Sequence, residues 1–270
     1  MIAFPNAKIN LGLNITEKRP DGFHNLETVF IPVGWSDVLE FVVADELQFT
    51  STGIQISGSM ESNLVIKAYR LLQKDFGLPT LKIHLHKEIP MGAGLGGGSS
   101  DAAFMLRLLN KTFDLKLSED KLLEYSAVLG SDCPFFIVNK PVYATGRGEL
   151  MNIIDLTLNG RFILLVKPPI EVSTAKAFQF VVPKKSGVSL PELLKLPIAE
   201  WKDKVINKFE HSVFQHYPEI GDIKQKLYKL GAEYASMSGS GSCVFGLFSE
   251  LPPHWESQFP ADYLTYSQQF

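Results

Sequence analysis

Residues 90–103, Pro-Met-Gly-Ala-Gly-Leu-Gly-Gly-Gly-Ser-Ser-Asp-Ala-Ala, carry the strongest chemical signal in this chain. Five of the seven residues from Gly92 to Gly98 are glycine, so a ligand could approach the backbone with no Cβ in the way. If a helix begins there, its free N–H groups favour an anion, and a phosphate suits them best. Ser99 and Ser100 can cap that helix, hydrogen-bond a phosphate or help to hold Mg²⁺. A second signal is Gly130-Ser-Asp132-Cys-Pro134, an acid in a tight loop just past a helix. Alone, such an aspartate is more often a solvated turn residue. A third is Lys8, in an otherwise apolar alternating strand, where a lysine more often faces water. Met237-Ser-Gly-Ser-Gly-Ser242 forms a second glycine/serine loop. It is a hairpin turn unless it faces the first loop, in which case a phosphate site gains weight.

The flanking elements narrow the choice for the first loop. Leu81-Lys-Ile-His-Leu-His86 alternates as a half-buried strand does, and Ala102–Leu109 reads as a helix. A flexible linker needs neither. Gly92-Ala-Gly-Leu-Gly-Gly97 matches the dinucleotide pattern, but a second strand ending in an acid should follow. Ser118 to Leu129 reads instead as another helix. No Gly-Lys-Ser/Thr ends the loop, so it is not a Walker A loop. A nucleoside triphosphate site of another kind remains. Valine at Gly96 or Gly97 is then expected to abolish nucleotide binding before it harms stability.

Elsewhere, Ala7–Asn14 and Asp37–Val43 alternate as strands, around an Arg19-Pro-Asp-Gly-Phe-His turn. Asn63–Phe76 reads as a helix ended by Gly77, Arg161–Lys167 as a buried strand, Asp222–Leu230 as a helix and Ser242–Phe248 as a strand. This is an α+β pattern, and a boundary near residue 158 divides 1–157 from 158–270. His84 and His86 share a polar strand face. His24 and Phe23 share a loop, where they could stack on and hydrogen-bond a base or, equally, be buried.

Composition sets bounds. The chain has 270 residues, 45% of them hydrophobic, and a net charge of −3, so no basic surface argues for nucleic acid. No apolar run reaches the ~18 residues that span a membrane. The first residues lack the pattern of a signal peptide. Cys133 and Cys243 suit free, buried thiols in a reducing cytoplasm.

Pro90-Met-Gly-Ala-Gly-Leu-Gly-Gly-Gly-Ser-Ser resembles the ATP loop of the GHMP kinases, the superfamily of galactokinase, homoserine kinase, mevalonate kinase and phosphomevalonate kinase. Met237-Ser-Gly-Ser-Gly-Ser resembles its C-terminal glycine motif. Pro5-Asn-Ala-Lys-Ile-Asn-Leu, Arg19-Pro-Asp-Gly-Phe-His and Gly130-Ser-Asp-Cys-Pro-Phe-Phe are similar to the branch that phosphorylates a cytidyl diphosphate sugar alcohol in non-mevalonate isoprenoid-precursor synthesis. The motifs run in order from residue 5 to about 248.

The resemblance implies a two-domain α+β architecture. Its N-terminal domain would be ribosomal-protein-S5-like and its C-terminal domain ferredoxin-like, with the active site in the cleft between them. It implies ATP and Mg²⁺, with Pro90, Gly92, Gly94, Gly96, Gly97, Gly98, Ser99 and Ser100 on the phosphates, Asn63 and Lys87 near adenine, and Ser99 or Ser100 toward Mg²⁺. Asp132 would be the catalytic base, paired with Lys8. Asn10, Phe23, His24, Thr174 and Phe178 would hold the acceptor, with Phe23 and Phe178 sandwiching cytosine and His24 reading its polar edge. Family members often carry tyrosine at the position of Phe23 and some carry asparagine at that of Asp101. The expected partners are small molecules, with no nucleic acid and no membrane, for a cytoplasmic monomer or homodimer. The alternatives are mevalonate or homoserine kinase, whose substrates have no base to stack, and a non-catalytic nucleotide-binding protein, against which Lys8 and Asp132 both speak.

Overall fold

The computed structural model describes residues 1–179, 181–184 and 187–270. In chain order its strands are β1 (Ile2–Ala3), β2 (Asn6–Lys18), β3 (His24–Ser36), β4 (Val38–Val43), β5 (Gln48–Gly53), β6 (Leu81–Lys87), β7 (Val142–Thr145), β8 (Leu150–Ile153), β9 (Phe162–Lys167), β10 (Tyr234–Met237), β11 (Val244–Phe248) and β12 (Leu264–Gln269). Its α-helices are α1 (Leu64–Phe76), α2 (Gly97–Thr112), α3 (Glu119–Leu129), α4 (Cys133–Val138), α5 (Thr174–Gln179), α6 (Leu190–Leu193), α7 (Phe209–His216) and α8 (Pro218–Lys229). The mix of helices and sheets is the α+β class that the sequence indicates.

Two compact units result, and both are discontinuous. One comprises Met1–Lys8, Pro32–Met91 and Gly96–Lys140; the other comprises Ile9–Ile31, Gly92–Leu95 and Pro141–Phe270. A single cut near residue 158 therefore does not describe how the chain packs. The cause is the long pair β2–β3, 13 residues each, which joins β7 and β8 in a sheet of order β2-β3-β7-β8.

The first unit has a sheet of order β1-β4-β6-β5. β5 and β6 run parallel, from Gln48 opposite Lys82 to Gly53 opposite Lys87, and α1 makes the crossover that parallel neighbours need. Asn63 caps α1, its side chain accepting from the Val65 amide, and Gly77 ends the helix in the left-handed region. α1 packs against α2. Val65, Ile66, Ala68, Tyr69 and Leu72 of α1 are buried, as are Ala102, Ala103, Met105, Leu106 and Leu109 of α2. Ser118 caps α3.

The second unit has a sheet of order β10-β11-β9-β12, antiparallel at each pairing. Its core joins Leu164 and Val166 of β9, Val244 and Phe248 of β11, Ile220, Ile223 and Leu227 of α8, and Leu13 and Ile15 of β2. α8 begins at Pro218 rather than Asp222. Proline at a helix start is the favoured arrangement, because its missing N–H would have no partner there.

Candidate active site

Along the chain β6 is followed by the glycine loop and then by α2; β6 and α2 lie in the first unit and Gly92–Leu95 of the loop in the second. The helix starts at Gly97, five residues earlier than its apolar pattern indicates, so glycine's weak helix propensity is overridden by packing. Gly96 is the N-cap, at φ +73°. Ser99 and Ser100 thus lie inside the first turn and do not cap it. A Cβ at Gly96 would sit 2.8 Å from Phe136 Cζ and 3.3 Å from Lys8 Cε; at Gly97 it would sit 2.9 Å from Ile89 Cγ2 and Lys87 Nζ. These two glycines are therefore required by the protein's own packing. At Gly98 the nearest atom is Leu64 Cδ1 at 3.9 Å, and that residue is exposed.

The amides of Gly97, Gly98 and Ser99 have no acceptor within the helix, as at any helix start, and with the helix dipole they favour an anion. Ser99 is partly exposed and lies in hydrogen-bonding reach of the Cys133 thiol. The Ser100 hydroxyl is fully buried with no partner among the described residues, so Ser99 is the better placed of the two toward a ligand. Burial pushes the Cys133 thiol up to about 11, and Cys243 is buried too, so both are unreactive structural thiols.

Lys8 and Asp132 come together in the same unit, 124 positions apart in sequence but with Nζ 3.7 Å from Oδ2. Lys8 is buried and Asp132 is 36% exposed. Burial lowers the Lys8 pKa and the Asp132 charge opposes that fall. Asp132 is the residue before α4, yet its side chain makes no cap hydrogen bond. It is a carboxylate held against an ammonium and still open to a reactant, not a solvated turn residue.

Asn63 spends its side chain on capping α1. The ammonium of Lys87 is buried between the carboxylates of Asp37 and Asp101, at 2.8 Å from Asp101 Oδ2. Burial lowers its pKa, but the two carboxylates more than offset that, so it stays a cation. Pro90 is buried. The sequence reading overlooked Asp37, whose lone acid at the start of an alternating strand gives no signal of its own.

In the second unit the two glycine loops face each other. The Ser238 hydroxyl donates to the Gly94 carbonyl at 2.8 Å, and the Cys243 amide to the Ala93 carbonyl at 3.2 Å. A Cβ at Gly94 would fall 1.9 Å from the Ser238 carbonyl oxygen, so only glycine lets the loops approach this closely. Gly92 is exposed beside them. Asn207 holds the second loop through Nδ2, donating to the Met237 and Gly239 carbonyls at 2.7 Å each. Asn10 is buried: its amide side chain donates to Thr28 Oγ1 at 2.9 Å, and its backbone N–H to Ser238 Oγ at 3.3 Å.

The aromatic residues of the second unit are arranged differently from the expected sandwich. His24 stacks on Phe178, centroids 4.9 Å apart and planes 19° from parallel, and Phe209 meets Phe178 edge-on at 4.8 Å. Phe23 is 54% exposed and carries the Arg147 guanidinium 5.0 Å from its ring centre. The ring beside Phe178 is thus His24, while Phe23 is the open aromatic face. Thr174, at the start of α5, is in hydrogen-bond contact with Ser240 at 3.1 Å.

Residues 63–140 match the family model for the GHMP kinases N terminal domain, and residues 191–254 match that for the GHMP kinases C terminal. Relatives from Bacteroides fragilis (56% identical over 253 residues) and Bacteroides thetaiotaomicron (57% over 252) are named 4-diphosphocytidyl-2-C-methyl-D-erythritol kinase. Each alignment covers 92% of this chain and 92% of the relative. A crystal structure of 4-(cytidine 5'-diphospho)-2C-methyl-D-erythritol kinase superposes with TM-score 0.85 at 30% identity, covering 99% of this chain and 98% of that one. The mevalonate kinase of Methanococcus jannaschii shares the fold, with TM-score 0.72 at 13% identity and coverage of 100% and 98%.

Proposed function

This chain belongs to the GHMP kinases and is an ATP-dependent kinase, and we propose that its acceptor is 4-diphosphocytidyl-2-C-methyl-D-erythritol, phosphorylated on the 2-hydroxyl to give the 2-phosphate and ADP. The observation that carries this reading is the identity of 56–57% over nearly the whole chain with relatives of that name. A mevalonate or homoserine acceptor has weaker support, because the likeness to those kinases lies at 12–17% identity and concerns fold alone. A non-catalytic role is disfavoured by the retained Lys8–Asp132 pair.

Phosphoryl transfer asks for positioning and charge stabilisation more than covalent help. The triphosphate would lie on the N–H groups at the start of α2, close to Gly98 and Ser99. Asp132 would accept the proton of the acceptor hydroxyl as that oxygen bonds to the γ-phosphorus and the bond to the ADP oxygen breaks. Lys8 would stabilise the charge on Asp132 and on the transferring group. The cytosine would stack on the exposed Phe23 ring, with the His24–Phe178 stack beside its polar edge.

Among the described residues, no group of three or more His, Cys, Asp or Glu could hold a metal ion. One hydroxyl, Ser99, beside helix-start amides suits a Mg²⁺ held chiefly by phosphate oxygens and water. That ion would neutralise phosphate charge. No helix among the described residues is long and apolar enough to cross a membrane; a cytoplasmic monomer or homodimer acting in isoprenoid-precursor synthesis is the setting this reading implies.

The test is the purified protein with ATP, Mg²⁺ and a panel of cytidyl and non-cytidyl alcohols, followed by phosphorus NMR. A new phosphomonoester only with the methylerythritol acceptor is expected. Equal turnover of mevalonate or homoserine would overturn the acceptor assignment.

A further inference from the structure

Asp37 is fully buried in the first unit, between β3 and β4. Its backbone N–H donates to the Pro5 carbonyl at 2.9 Å. Oδ1 accepts from two successive backbone amides, Glu88 at 2.6 Å and Ile89 at 2.8 Å. Those are the two residues between the end of β6 and Pro90, where the glycine loop begins. Oδ2 takes the ammonium of Lys87. Lys87 in turn reaches Asp101 Oδ2, within α2, and its Nζ lies 2.9 Å from where a Cβ on Gly97 would stand. One carboxylate thus holds the entry of the loop directly and its exit, the first turn of α2, through a single lysine.

The hydrogen bonds have a directional consequence. Two adjacent N–H groups converging on one oxygen fix the peptide planes of Glu88 and Ile89, and a charged acceptor makes such bonds roughly twice as strong as neutral ones. The ammonium under Gly97 fixes the height of the helix start above β6. A binding constellation tolerates displacements of only about half an ångström, so the groups that hold the phosphate-binding amides in place set the affinity for ATP as much as the amides themselves.

We propose that Asp37 is a positioning residue for ATP: it sets the placement of the Gly96–Ser99 amides through the Glu88–Ile89 peptides and through Lys87. This rests on the reading of that helix start as the triphosphate site. Asp37 touches no substrate.

The experiment is steady-state kinetics of Asp37→Asn. Asparagine keeps one oxygen for the two amides but presents NH₂ to the ammonium of Lys87, so the hold on the helix start is lost and the volume is kept. KM for ATP should rise about tenfold, the scale of one charged hydrogen bond. KM for the acceptor should change less than about twofold, and kcat at saturating ATP should hold to within about threefold. A merely structural role would lower the active fraction and the melting temperature while leaving both KM values in place, and that result would overturn the proposal. So would a parallel rise in both KM values.

Hydrogen exchange in the wild-type protein, read by NMR, keeps the proposal refutable even if the variant does not fold. Without nucleotide, the Glu88 and Ile89 amides should be as protected as those of β6; exchange at the rate of an open loop would sink the idea. Absence of ATP binding by the wild type would instead remove the triphosphate site itself. Wild-type turnover together with an unmoved ATP KM in Asp37→Asn would remove only the role of Asp37.

Discussion

Two glycines two residues apart offer a test that separates packing from ligand approach. At Gly96 the backbone is left-handed and a Cβ would meet the fully buried Phe136 ring at 2.8 Å. The left-handed conformation costs a non-glycine residue roughly 1–2 kcal/mol, and overpacking a filled core costs about 1–3 kcal/mol more. Gly96→Ala should therefore lose about 2–5 kcal/mol, or at least ~4 °C of melting temperature in a protein of this size. The expectation that a side chain at Gly96 or Gly97 would harm ATP binding before stability is accordingly reversed. Gly98 is the position where that expectation still applies. Its Cβ would have only an ordinary contact with Leu64, and alanine is preferred over glycine in a helix by about 1 kcal/mol. Because a helical Cβ tilts toward the N-terminus, it would also intrude on the space where the triphosphate is expected. Gly98→Ala should melt at or above the wild-type temperature yet bind MgATP at least ~10-fold more weakly, and Gly98→Val more weakly still. The assay pairs a thermal melt with titration calorimetry. A stable Gly98→Val protein with wild-type ATP affinity would refute the close approach of phosphate to this turn.

Asp132→Asn should stay folded, because its side chain is about one-third exposed, and should lower kcat by at least ~100-fold; near-wild-type turnover would take Asp132 out of the mechanism. Phe23→Ala should raise the acceptor KM by ~5–150-fold, the equivalent of one stacking contact, with the melting temperature and ATP KM unmoved since the ring is mostly in solvent; losses shared equally with ATP would count against a base-binding role. Burial pushes the Asp101 carboxyl up to about 8, against the pull of Lys87. A carboxyl raised on folding holds its stabilising effect below its unfolded value, about 3.9, and loses it as pH rises through its folded value. Chemical denaturation of wild type and Asp101→Asn should thus show the wild type losing stability relative to the variant between about pH 4 and about pH 8, and parallel curves across that window would show that Asp101 is not raised.

The sequence reading located the two glycine loops, the helix that ends at Gly77 and the acid at position 132 because each carries a local signal. Glycine where no Cβ fits, a capping serine before α3 and a glycine in the left-handed region leave marks within a few residues. The start of α2 was misplaced for the converse reason. Gly97 and Gly98 look like helix breakers in isolation, and only the pressure of Ile89 and Lys87 on Gly97 shows that glycine is what the tightly packed helix start requires. The His24–Phe178 stack joins residues 154 positions apart, and no spacing rule reports such a pair.

Lys8 is a polar residue of an alternating strand that does not face water. Alternating apolar and polar residues are taken to mean that the polar ones face water, and β2 shows why that inference failed. Ala7, Ile9, Leu11, Leu13 and Ile15 are buried on one face, but Lys8, Asn10 and Asn14 on the other are buried as well. The strand is covered on both faces. Its polar residues survive burial because partners from distant parts of the chain meet them: Asp132 for Lys8, Thr28 and Ser238 for Asn10. A buried polar group without a partner costs several kcal/mol, so a polar stripe on a fully buried strand must be matched from elsewhere. Asp37 obeys the same rule, its carboxylate matched by two amides and an ammonium from residues 87–89. Polarity pattern alone therefore cannot distinguish a wet face from a functional one; the distinguishing quantity is burial, and burial belongs to the fold.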